Sequence, residues 1–464
     1  MGTDEAANVA GLARRTHIRY ALRHVRMLPP AYQTDDSNRI TFGYFALGSL
    51  AILDGLDRLD LSEKADYIHW IYCRWNPILG GFGGAPSIDL RGLAPAQDPH
   101  DAPHLTHTYT ALLILGLLTV PSSETPEPES PYGSLDLPKV LRFVGKCQRP
   151  NGSFGSFPDS LDEDVRFVYC AVAILAIVRV DPASVIDVDA AERFLKSCRR
   201  YEGGYGQAPY AEAQGGTTYC ALASLALLGR LESGQTEEEA SQTVRWLVDR
   251  QGEVADSLDS SSASSDDGQE ESTAAGADSQ PEAHGPVPSC PSIINPTLHD
   301  DLQPATRQSV AGFQGRIGKP LDACYSFWCT AALTIMSDLV SRRPLSTTPP
   351  NRHPCTPKDH ESPAPLLYDP RGNVAFLLRC QSDQWGGIAR FPGDHPDVYH
   401  TYLALASLSL SAHAAAAASY SQEGRHGGPS KDLVDSLAPH DPLLNVPVKV
   451  SEWISKCFSP TEIA

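Results

Sequence analysis

A structural unit recurs along the sequence and limits the folds that the chain can adopt. Each copy consists of a helix-like stretch, a glycine-rich turn and an apolar helix that opens on an aromatic residue, at intervals of roughly 50 residues. The aromatic residue is Tyr109, Tyr169, Tyr219, Trp328 or Tyr402 in the clear copies and Phe45 in an earlier, looser one. The repeat predicts a stack of helical hairpins, since one hairpin alone cannot bury its apolar face.

Stacked hairpins of this kind can form either an open solenoid or a closed ring. In a ring, the second helices of the hairpins would surround a central cavity, and the residues just ahead of each helix would converge on it. Strand-like alternation is weak along the whole sequence, which favours an all-α protein. We expect residues 1–464 to form one domain.

Three segments interrupt the repeat. Residues 253–309 are rich in Ser, Asp, Glu and Ala and then in Pro, 341–365 are rich in Pro, and 412–439 begin as a helix extension and end in a glycine-containing stretch. Such compositions bury too little apolar surface to offset the cost of ordering the backbone. We predict that all three are disordered insertions at the surface and not domain boundaries.

The charge and the apolar pattern exclude two classes of protein. The formal net charge is −19, which argues against nucleic acid as a partner. Nine acidic residues and no Lys or Arg lie between Glu253 and Ala283, so about half of the negative charge belongs to one segment. No stretch approaches the roughly 20 apolar residues of a membrane-spanning helix, so we expect no integral membrane protein.

The N-terminus and the cysteines indicate the cell compartment. The first residues, MGTDEAANVAGLARR, lack the basic-then-apolar pattern of a secretory signal. The 11 cysteines show neither a C-x-x-C motif nor a pairing rhythm, which is typical of reduced thiols. We therefore predict a cytoplasmic protein.

The stretch 312–328, GFQGRIGKPLDACYSFW, contains groups that could perform chemistry. Arg316 and Lys319 are spaced cations on a glycine-rich turn, and such cations bind phosphate. Asp322 and Cys324 follow, and an aromatic run then ends at Trp328. These groups together suit a reaction between a thiol and a lipid diphosphate.

Asp322 and Cys324, with a distant histidine, could hold a catalytic zinc ion. His400 is the best candidate because it lies, like Cys324, just ahead of a repeat aromatic residue. Three protein ligands leave a fourth position open, where a substrate thiol would become a nucleophilic thiolate. Taken alone, the same three residues could equally be a helix cap, a buried thiol and a core histidine.

The cations and the aromatic residues allow similar alternatives. Arg316 and Lys319 could bind the two phosphates of a diphosphate and stabilise charge as it leaves, or could belong to a solvated loop. Arg166 and Arg390 lie at corresponding places near the repeat helices and could face the cavity or water. The repeat aromatic residues could line a lipid tunnel or form plain core.

Four motifs together resemble the beta subunit of the CaaX protein prenyltransferases. They are GFQGRIGKPLDACYSFW (312–328), EDVRFVYCA (163–171), QGGTTYCALASL (214–225) and HPDVYHTY (395–402). The likeness extends over nearly all of the chain outside the three insertions. The run G-x-x-G-R-x-x-K-x-x-D-x-C-Y-S-F-W is highly specific.

The resemblance implies an α/α toroid, a closed barrel of about six helical hairpins. It also implies an obligate heterodimer with a separate alpha subunit and a zinc site. The zinc ligands, which are also the catalytic residues, would be Asp322, Cys324 and His400. The diphosphate site would comprise Arg316, Lys319, Tyr325, Gln214 and Arg390. The isoprenoid and peptide pocket would comprise Thr41, Phe45, Arg166, Tyr169, Cys220, Trp328 and Tyr399.

Within this family, the N-terminal region 17–57 is similar to the type I geranylgeranyltransferase. Thr41 stands where the farnesyl enzyme has a Trp that closes the tunnel, and Phe45 also matches the type I pattern. Arg390 stands where the farnesyl enzyme has an Asp linked to magnesium, and a fixed guanidinium could replace that ion. The resemblance therefore implies transfer from geranylgeranyl diphosphate to CaaX proteins ending in Leu, such as Rho-type small GTPases, without magnesium.

Two positions depart from the type I pattern. Gln214 stands where the family usually has a His that donates to the diphosphate, and its amide can donate but cannot bear charge. Tyr399 precedes His400 where type I enzymes tend to have Leu, and Tyr is the farnesyl-like residue. The alternatives are a farnesyltransferase beta subunit and, as a non-enzyme, an α/α-toroid binding module that has lost catalysis.

Overall fold

The structure is a computed structural model of the 464-residue chain. It describes residues 11–85, 103–121, 128–253, 310–342, 367–420 and 431–458. The described residues belong to one compact unit, and residues 255–308 lie outside them.

A closed ring of six inner helices forms the centre of the described structure. The inner helices are α2 (Arg39–Ile52), α4 (Leu105–Thr119), α6 (Val165–Ile177), α8 (Gly215–Leu227), α10 (Ala323–Arg342) and α12 (Val398–Tyr420). Each packs against the next, and α12 packs against α2, which closes the ring. Gly48 allows this closure because any side chain on its Cα would collide with the Tyr402 ring. These helices are apolar almost all round because they contact neighbours on several sides.

A second layer of helices covers the inner ring. The outer helices are α1 (Arg14–Arg26), α3 (Leu61–Tyr72), α5 (Leu137–Cys147), α7 (Val188–Cys198), α9 (Glu237–Val248) and α11 (Pro370–Arg379). They are amphipathic, as in α5, whose buried Val140, Phe143, Val144 and Cys147 share one face. The helices α3, α5, α7, α9 and α11 all begin at a side-chain cap, from Asp60, Asp136, Asp187, Thr236 and Asp369.

Glycine-containing turns lie in the connections from outer helices to the following inner helices. Three short antiparallel hairpins lie in such connections: β1–β2 (Trp75–Asn76, Gly81–Phe82), β3–β4 (Gln251–Glu253, Ala311–Phe313) and β5–β6 (Ile388–Ala389, Pro396–Asp397). A fourth hairpin, β7–β8 (His440–Asp441, Val446–Pro447), follows the last inner helix. Gly152 and Gly203 are required in the turns because they have positive φ of 86° and 110°. At both, a Cβ would also collide with the backbone of the next outer helix.

The loop between β7 and β8, residues 441–445, lies across the centre of the ring, and we call it the plug loop. Five tyrosines in the second turns of inner helices donate hydrogen bonds to its carbonyl oxygens: Tyr219 to Pro442 (2.9 Å), Tyr169 to Leu443 (2.9 Å), Tyr109 to Leu444 (2.8 Å), and Tyr44 and Tyr402 to Asn445. The plug loop therefore satisfies its buried backbone through side chains and closes the ring beneath the first helical turns. The helices α13 (Lys431–Asp435) and α14 (Val448–Cys457) flank it.

The predicted all-α toroid of six hairpins is confirmed. The predicted insertions 253–309 and 341–365 lie almost entirely outside the described residues. The third, 412–439, is more ordered than expected, because α12 continues to Tyr420 and α13 buries Leu433; residues 421–430 lie outside the described residues. In the described part of the chain, no helix has both the length and the apolar character needed to cross a membrane.

Candidate active site at the N-termini of the inner helices

The first turns of α10 and α12 bring Asp322, Cys324 and His400 together. One ligand atom from each residue lies within 4.8 Å of the others. Asp322 and Cys324 are buried, and the His400 side chain is 14% exposed. Cys324 and His400 are 76 residues apart in the sequence. They become neighbours because α10 and α12 are adjacent in the ring.

Backbone hydrogen bonds orient this cluster. The Asp322 amide donates to the Phe313 carbonyl oxygen (2.9 Å), so β4 fixes the start of α10. The Cys324 amide donates to Asp322 Oδ1 (2.9 Å), which is the Asx geometry of a helix start. On α12, Asp397 caps the helix at the His400 amide (2.8 Å) and also contacts His400 Nδ1 (2.5 Å). The imidazole is therefore held with Nε2 towards Asp322 Oδ1, at 3.5 Å.

The cluster is strongly polarised. Burial raises the pKa of the Cys324 thiol to about 12, so the thiol is protonated when no metal ion is bound. Burial opposes ionisation of Asp322, but hydrogen bonds from His400 and Cys324 hold its carboxyl pKa below the usual range. Burial also lowers the His400 pKa, and its bonds to Asp322 and Asp397 outweigh this and raise it. A cation would be stabilised here by the carboxylate.

These residues fit a divalent metal ion. A carboxylate oxygen, a thiol sulfur and an imidazole nitrogen form the mixed donor set of a borderline-soft transition metal, with three protein ligands and room for a fourth. The contact of Asp397 with His400 Nδ1 is the carboxylate–histidine pair that orients a metal-binding imidazole. The two features together make this cluster a potential metal site, with a donor set that suits a catalytic metal ion.

The glycine-rich turn 312–320 places cations beside the metal cluster. Arg316 Nη1 lies 3.3 Å from Glu212 Oε2, in the turn that precedes α8. The Lys319 amide donates to the Arg316 carbonyl oxygen (3.3 Å), so the two cations share one tight turn, and Lys319 is exposed. The Tyr325 ring packs on Gly315 so closely that a side chain there would collide with it.

Two further expected residues border this turn. Gln214 is the N-cap residue of α8, and the amide of the next residue, Gly215, donates to the Gly315 carbonyl oxygen (2.9 Å). Arg390 Nε donates to Asp322 Oδ2 (2.8 Å), so this guanidinium contacts a metal ligand in the structure. The resemblance implied only a role at the diphosphate for Arg390. Its pairing with Asp322 was not predicted from the sequence.

The expected pocket residues lie in two groups. Tyr399 contacts Phe45 (ring centroids 5.4 Å apart) and accepts a hydrogen bond from Trp328 Nε1 (3.3 Å), so these three form one wall. Thr41, one turn before Phe45, is partly buried, and its hydroxyl has no hydrogen-bond partner among the described residues.

The second group lies on α6 and α8. Arg166 is held by Asp164, the cap of α6, through Nε (2.9 Å) and Nη2 (2.6 Å). Cys220 is buried on α8. The hydroxyl of Tyr169 contacts Tyr109, Tyr219 and the plug loop. Tyr169 therefore lies deep in the ring, where the plug loop closes it.

Several residues of the site were missed in the sequence. Asp397 and Glu212 position His400 and Arg316, and neither stands out among 56 acidic residues. The only available signal was the spacing D-x-x-H at a helix start, which lets a cap residue reach the histidine. His104 and His107, at the start of α4, also stack on one another (4.9 Å) at this end of the ring.

The comparisons with known proteins agree with this geometry. A model of the prenyltransferase alpha-alpha toroid domain matches residues 12–446. The chain is 28% identical over 412 residues to the geranylgeranyl transferase type-1 subunit beta of Arabidopsis thaliana, covering 86% of this chain and 85% of that protein. For the same subunit of Dictyostelium discoideum the identity is 27%, covering 84% of this chain and 88% of the relative.

A farnesyl enzyme and a solved structure are also similar. The protein farnesyltransferase subunit beta of Schizosaccharomyces pombe is 27% identical, over 96% of this chain and 90% of that protein. The Candida albicans protein geranylgeranyltransferase-I complexed with GGPP has the same fold, with a TM-score of 0.65 and 22% identity. The alignment covers 97% of this chain and 100% of the Candida chain.

A closed α/α ring with a metal-binding cluster and cations at the inner helix N-termini defines an enzyme that transfers prenyl groups. The chain belongs to the prenyltransferase alpha-alpha toroid family. Its similarity to geranylgeranyl transferase type-1 beta subunits confirms the family predicted from the sequence.

Proposed function

We propose that this chain is the catalytic beta subunit of a zinc-dependent protein geranylgeranyltransferase type I. It would transfer a geranylgeranyl group from geranylgeranyl diphosphate to the cysteine of a C-terminal CaaX sequence, above all one ending in Leu. The observation that supports this most is the cluster of Asp322, Cys324 and His400 beside the turn that contains Arg316. The relatives named type-1 beta support the choice of donor.

Zinc is the metal that we assign to the cluster. Zinc is commonly bound by sulfur, nitrogen and oxygen ligands together, whereas magnesium prefers oxygen alone. When bound, zinc would stabilise the thiolate form of the substrate cysteine. The protein's own residues supply the rest, since Asp397 orients His400 and the Asx turn orients Asp322.

The diphosphate would lie beside Arg316, Lys319 and Tyr325. Arginine side chains bind phosphate oxygens through parallel N–H groups and stabilise the charge that develops when the C–O bond breaks. Burial raises the pKa of Tyr325 to about 12, so its hydroxyl stays protonated and can donate to a phosphate oxygen. Gln214 could add a neutral donor, and Arg390 a second guanidinium in place of magnesium.

The wall formed by Phe45, Trp328 and Tyr399 would bound the isoprenoid, with Thr41 and Cys220 beside it. The plug loop would limit how deeply the chain can enter, because it closes the ring at the level of Tyr169. Arg166, fixed by Asp164, would place the C-terminus of the protein substrate. Rho-type small GTPases that end in Leu are the substrates we expect.

An alpha subunit would bind at the end of the ring where the inner helices begin. Large apolar side chains are exposed in the turns at that end, including Leu161 (96% exposed), Tyr201 (90%) and Tyr210 (90%). Ile317 and Phe391 are exposed in the turns beside the cations. Exposed apolar side chains at one end of a ring are typical of a protein interface. A cytoplasmic location stays a prediction from the sequence.

One experiment tests the proposal. The chain is co-expressed with an alpha subunit, and transfer from 15- and 20-carbon donors to peptides ending in Leu or Met is measured with and without magnesium. We expect the 20-carbon donor and the Leu peptide to be preferred, magnesium to be dispensable, and Cys324→Ala to lose both zinc and transfer. If the complex transfers neither the 15-carbon nor the 20-carbon group, the proposal is refuted and a binding module is favoured.

A farnesyltransferase beta subunit is the second candidate. Tyr399 is the farnesyl-like residue at its position, and the similarity to the S. pombe farnesyl subunit extends over nearly the whole chain. Preference for the 15-carbon donor in the same experiment would establish this alternative.

A further inference from the structure

Both arginines expected at the diphosphate are already paired with carboxylates. Arg316 contacts Glu212, which lies outside the metal cluster, at 3.3 Å. Arg390 contacts Asp322, a metal-binding residue, at 2.8 Å. The second pair therefore links the two halves of the site, the metal and the diphosphate, through one side chain.

The backbone of Arg390 is fixed, whereas its side chain is largely exposed to solvent. The Arg390 carbonyl oxygen accepts a hydrogen bond from the Ala323 amide (2.8 Å), which ties it to the start of α10. The two preceding residues, Ile388 and Ala389, are paired with β6. The Arg390 side chain, by contrast, is 56% exposed, whereas that of Asp322 is 7% exposed. The guanidinium can therefore change its partner without movement of the chain.

The two oxygens of Asp322 have different partners. Oδ1 faces the Cys324 amide and His400 Nε2, on the side of the metal cluster. Oδ2 accepts from Arg390. A guanidinium that is bound to a carboxylate neutralises the negative charge that attracts a metal ion. A metal ion bound to the same carboxylate would in turn weaken the attraction between the carboxylate and the guanidinium.

We propose that Arg390 is a counter-ion shared between Asp322 and the diphosphate, so that it couples the two binding events. Without ligands it neutralises Asp322. If Asp322 were bound to a metal ion, Arg390 would be free to contact the diphosphate, which would then bind more tightly. Because such coupling is reciprocal, the diphosphate must strengthen metal binding by the same factor. The inference rests on the proposed function and adds a positioning residue to it.

The test measures binding and not turnover. Calorimetry gives the dissociation constant of geranylgeranyl diphosphate, at micromolar concentration and without acceptor peptide, for the full chain co-expressed with an alpha subunit. The complex is either metal-free or loaded with one equivalent of Co²⁺, whose thiolate absorption shows that the metal stays bound. We expect the Co²⁺-loaded wild type to bind the diphosphate about fivefold more tightly, or more, than the metal-free form.

Three variants separate the proposal from simple attraction between metal and diphosphate. In Arg390→Gln the ratio of the two dissociation constants should fall close to one. Arg390→Lys should retain part of the wild-type ratio, because lysine keeps the positive charge but lacks the parallel N–H donors of the guanidinium. Glu212→Gln, the matched control, removes the partner of Arg316; it should tighten diphosphate binding in both metal states and leave the ratio as in the wild type.

The outcomes are distinct. A wild-type ratio retained in Arg390→Gln, or a wild-type ratio of one, overturns the shared counter-ion. If the ratio of dissociation constants also falls to one in Glu212→Gln, the shared counter-ion is overturned. The coupling would then depend on the total charge of the site and not on Arg390. If the complex binds neither Co²⁺ nor the diphosphate, the proposed function fails together with the inference.

Discussion

The indole nitrogen of Trp328 donates a hydrogen bond to the hydroxyl of Tyr399 over 3.3 Å. The bond joins α10 to α12. The Tyr399 ring also lies 5.4 Å from that of Phe45 and 5.0 Å from that of His400. One side chain therefore contacts both the metal cluster and the wall expected to bound the isoprenoid.

Replacing Tyr399 should change the choice of peptide. Tyr399→Leu removes the partner of Trp328 Nε1 and opens space beside Phe45. We expect the preference for peptides ending in Leu over those ending in Met to rise by about tenfold, the range of discrimination that pocket shape provides. The ratio of kcat/KM values for the two peptides measures this. An unchanged ratio would show that Tyr399 does not contact the bound peptide.

The length of the donor should depend on Thr41. Thr41→Trp would fill the space at the start of α2, so we expect the preference for the 15-carbon donor to rise by about tenfold or more. Thr41→Val is the control, because it removes a buried hydroxyl that has no partner and leaves the volume unchanged. Competition between the two donors gives the ratio. Equal ratios in the wild type and Thr41→Trp would refute the tunnel assignment.

Metal affinity should depend on Asp397. Asp397→Asn weakens the contact with His400 Nδ1 and allows the imidazole to turn, so we expect a loss of about 10–100-fold in Zn²⁺ affinity. Chelator competition measures it. Asp394→Asn, in the same turn and exposed, should leave the affinity unchanged. Equal effects of the two variants would contradict the assignment of Asp397.

The hydrogen bonds to the plug loop should stabilise the ring. The Tyr169 hydroxyl contacts two tyrosine hydroxyls and the Leu443 carbonyl oxygen. Tyr169→Phe removes the donor to the Leu443 carbonyl oxygen and one of the partners of each tyrosine hydroxyl. We expect it to lower the free energy of unfolding by about 1–3 kcal/mol in urea titrations. Tyr210→Phe, at a tyrosine that is 90% exposed, is the control and should have no effect.

Acid should weaken the same region through His440. Burial lowers the pKa of His440 to about 4, so the unfolded chain takes up a proton near its ordinary value of 6.5 while the folded protein stays neutral. The stability from neutral His440 is complete above pH 6.5 and is lost as the pH falls towards 4. Between pH 7.5 and 5 we expect His440 alone to contribute a loss of about 2 kcal/mol in the free energy of unfolding.

His440→Gln is the comparison for this acid effect. The variant is less stable at pH 7.5, because it disturbs a buried contact with Asn445. Its free energy of unfolding should nevertheless fall by about 2 kcal/mol less than that of the wild type between the two pH values. Parallel curves for the two proteins would show that His440 is not responsible.

The ring and the metal ligands could be predicted because both depend on pattern. The repeat of aromatic residues and glycine turns specifies hairpins, and Asp322, Cys324 and His400 lie at equivalent places in two of them. None of this required knowledge of how distant segments meet.

Two features could not be predicted, for physical reasons. The plug loop binds the tyrosines through backbone carbonyls, which every residue possesses, so its side chains give no signal. The pairing of Arg390 with Asp322 is a competition between two partners for one cation, and its outcome depends on distances of a few ångströms that the sequence does not contain.

The route of the chain through the plug loop also bears on biosynthesis. The Tyr44 hydroxyl donates to a carbonyl oxygen 401 residues later, and α2 must meet α12 before the ring exists. During translation the early hairpins are therefore complete while their inner faces still lack a partner and are exposed to water. Such long-range contacts make folding slow and leave apolar surface open to aggregation. A ribosome-bound chain that has not yet produced residues 440–445 should accordingly depend on chaperones, and its tyrosines should stay accessible to solvent.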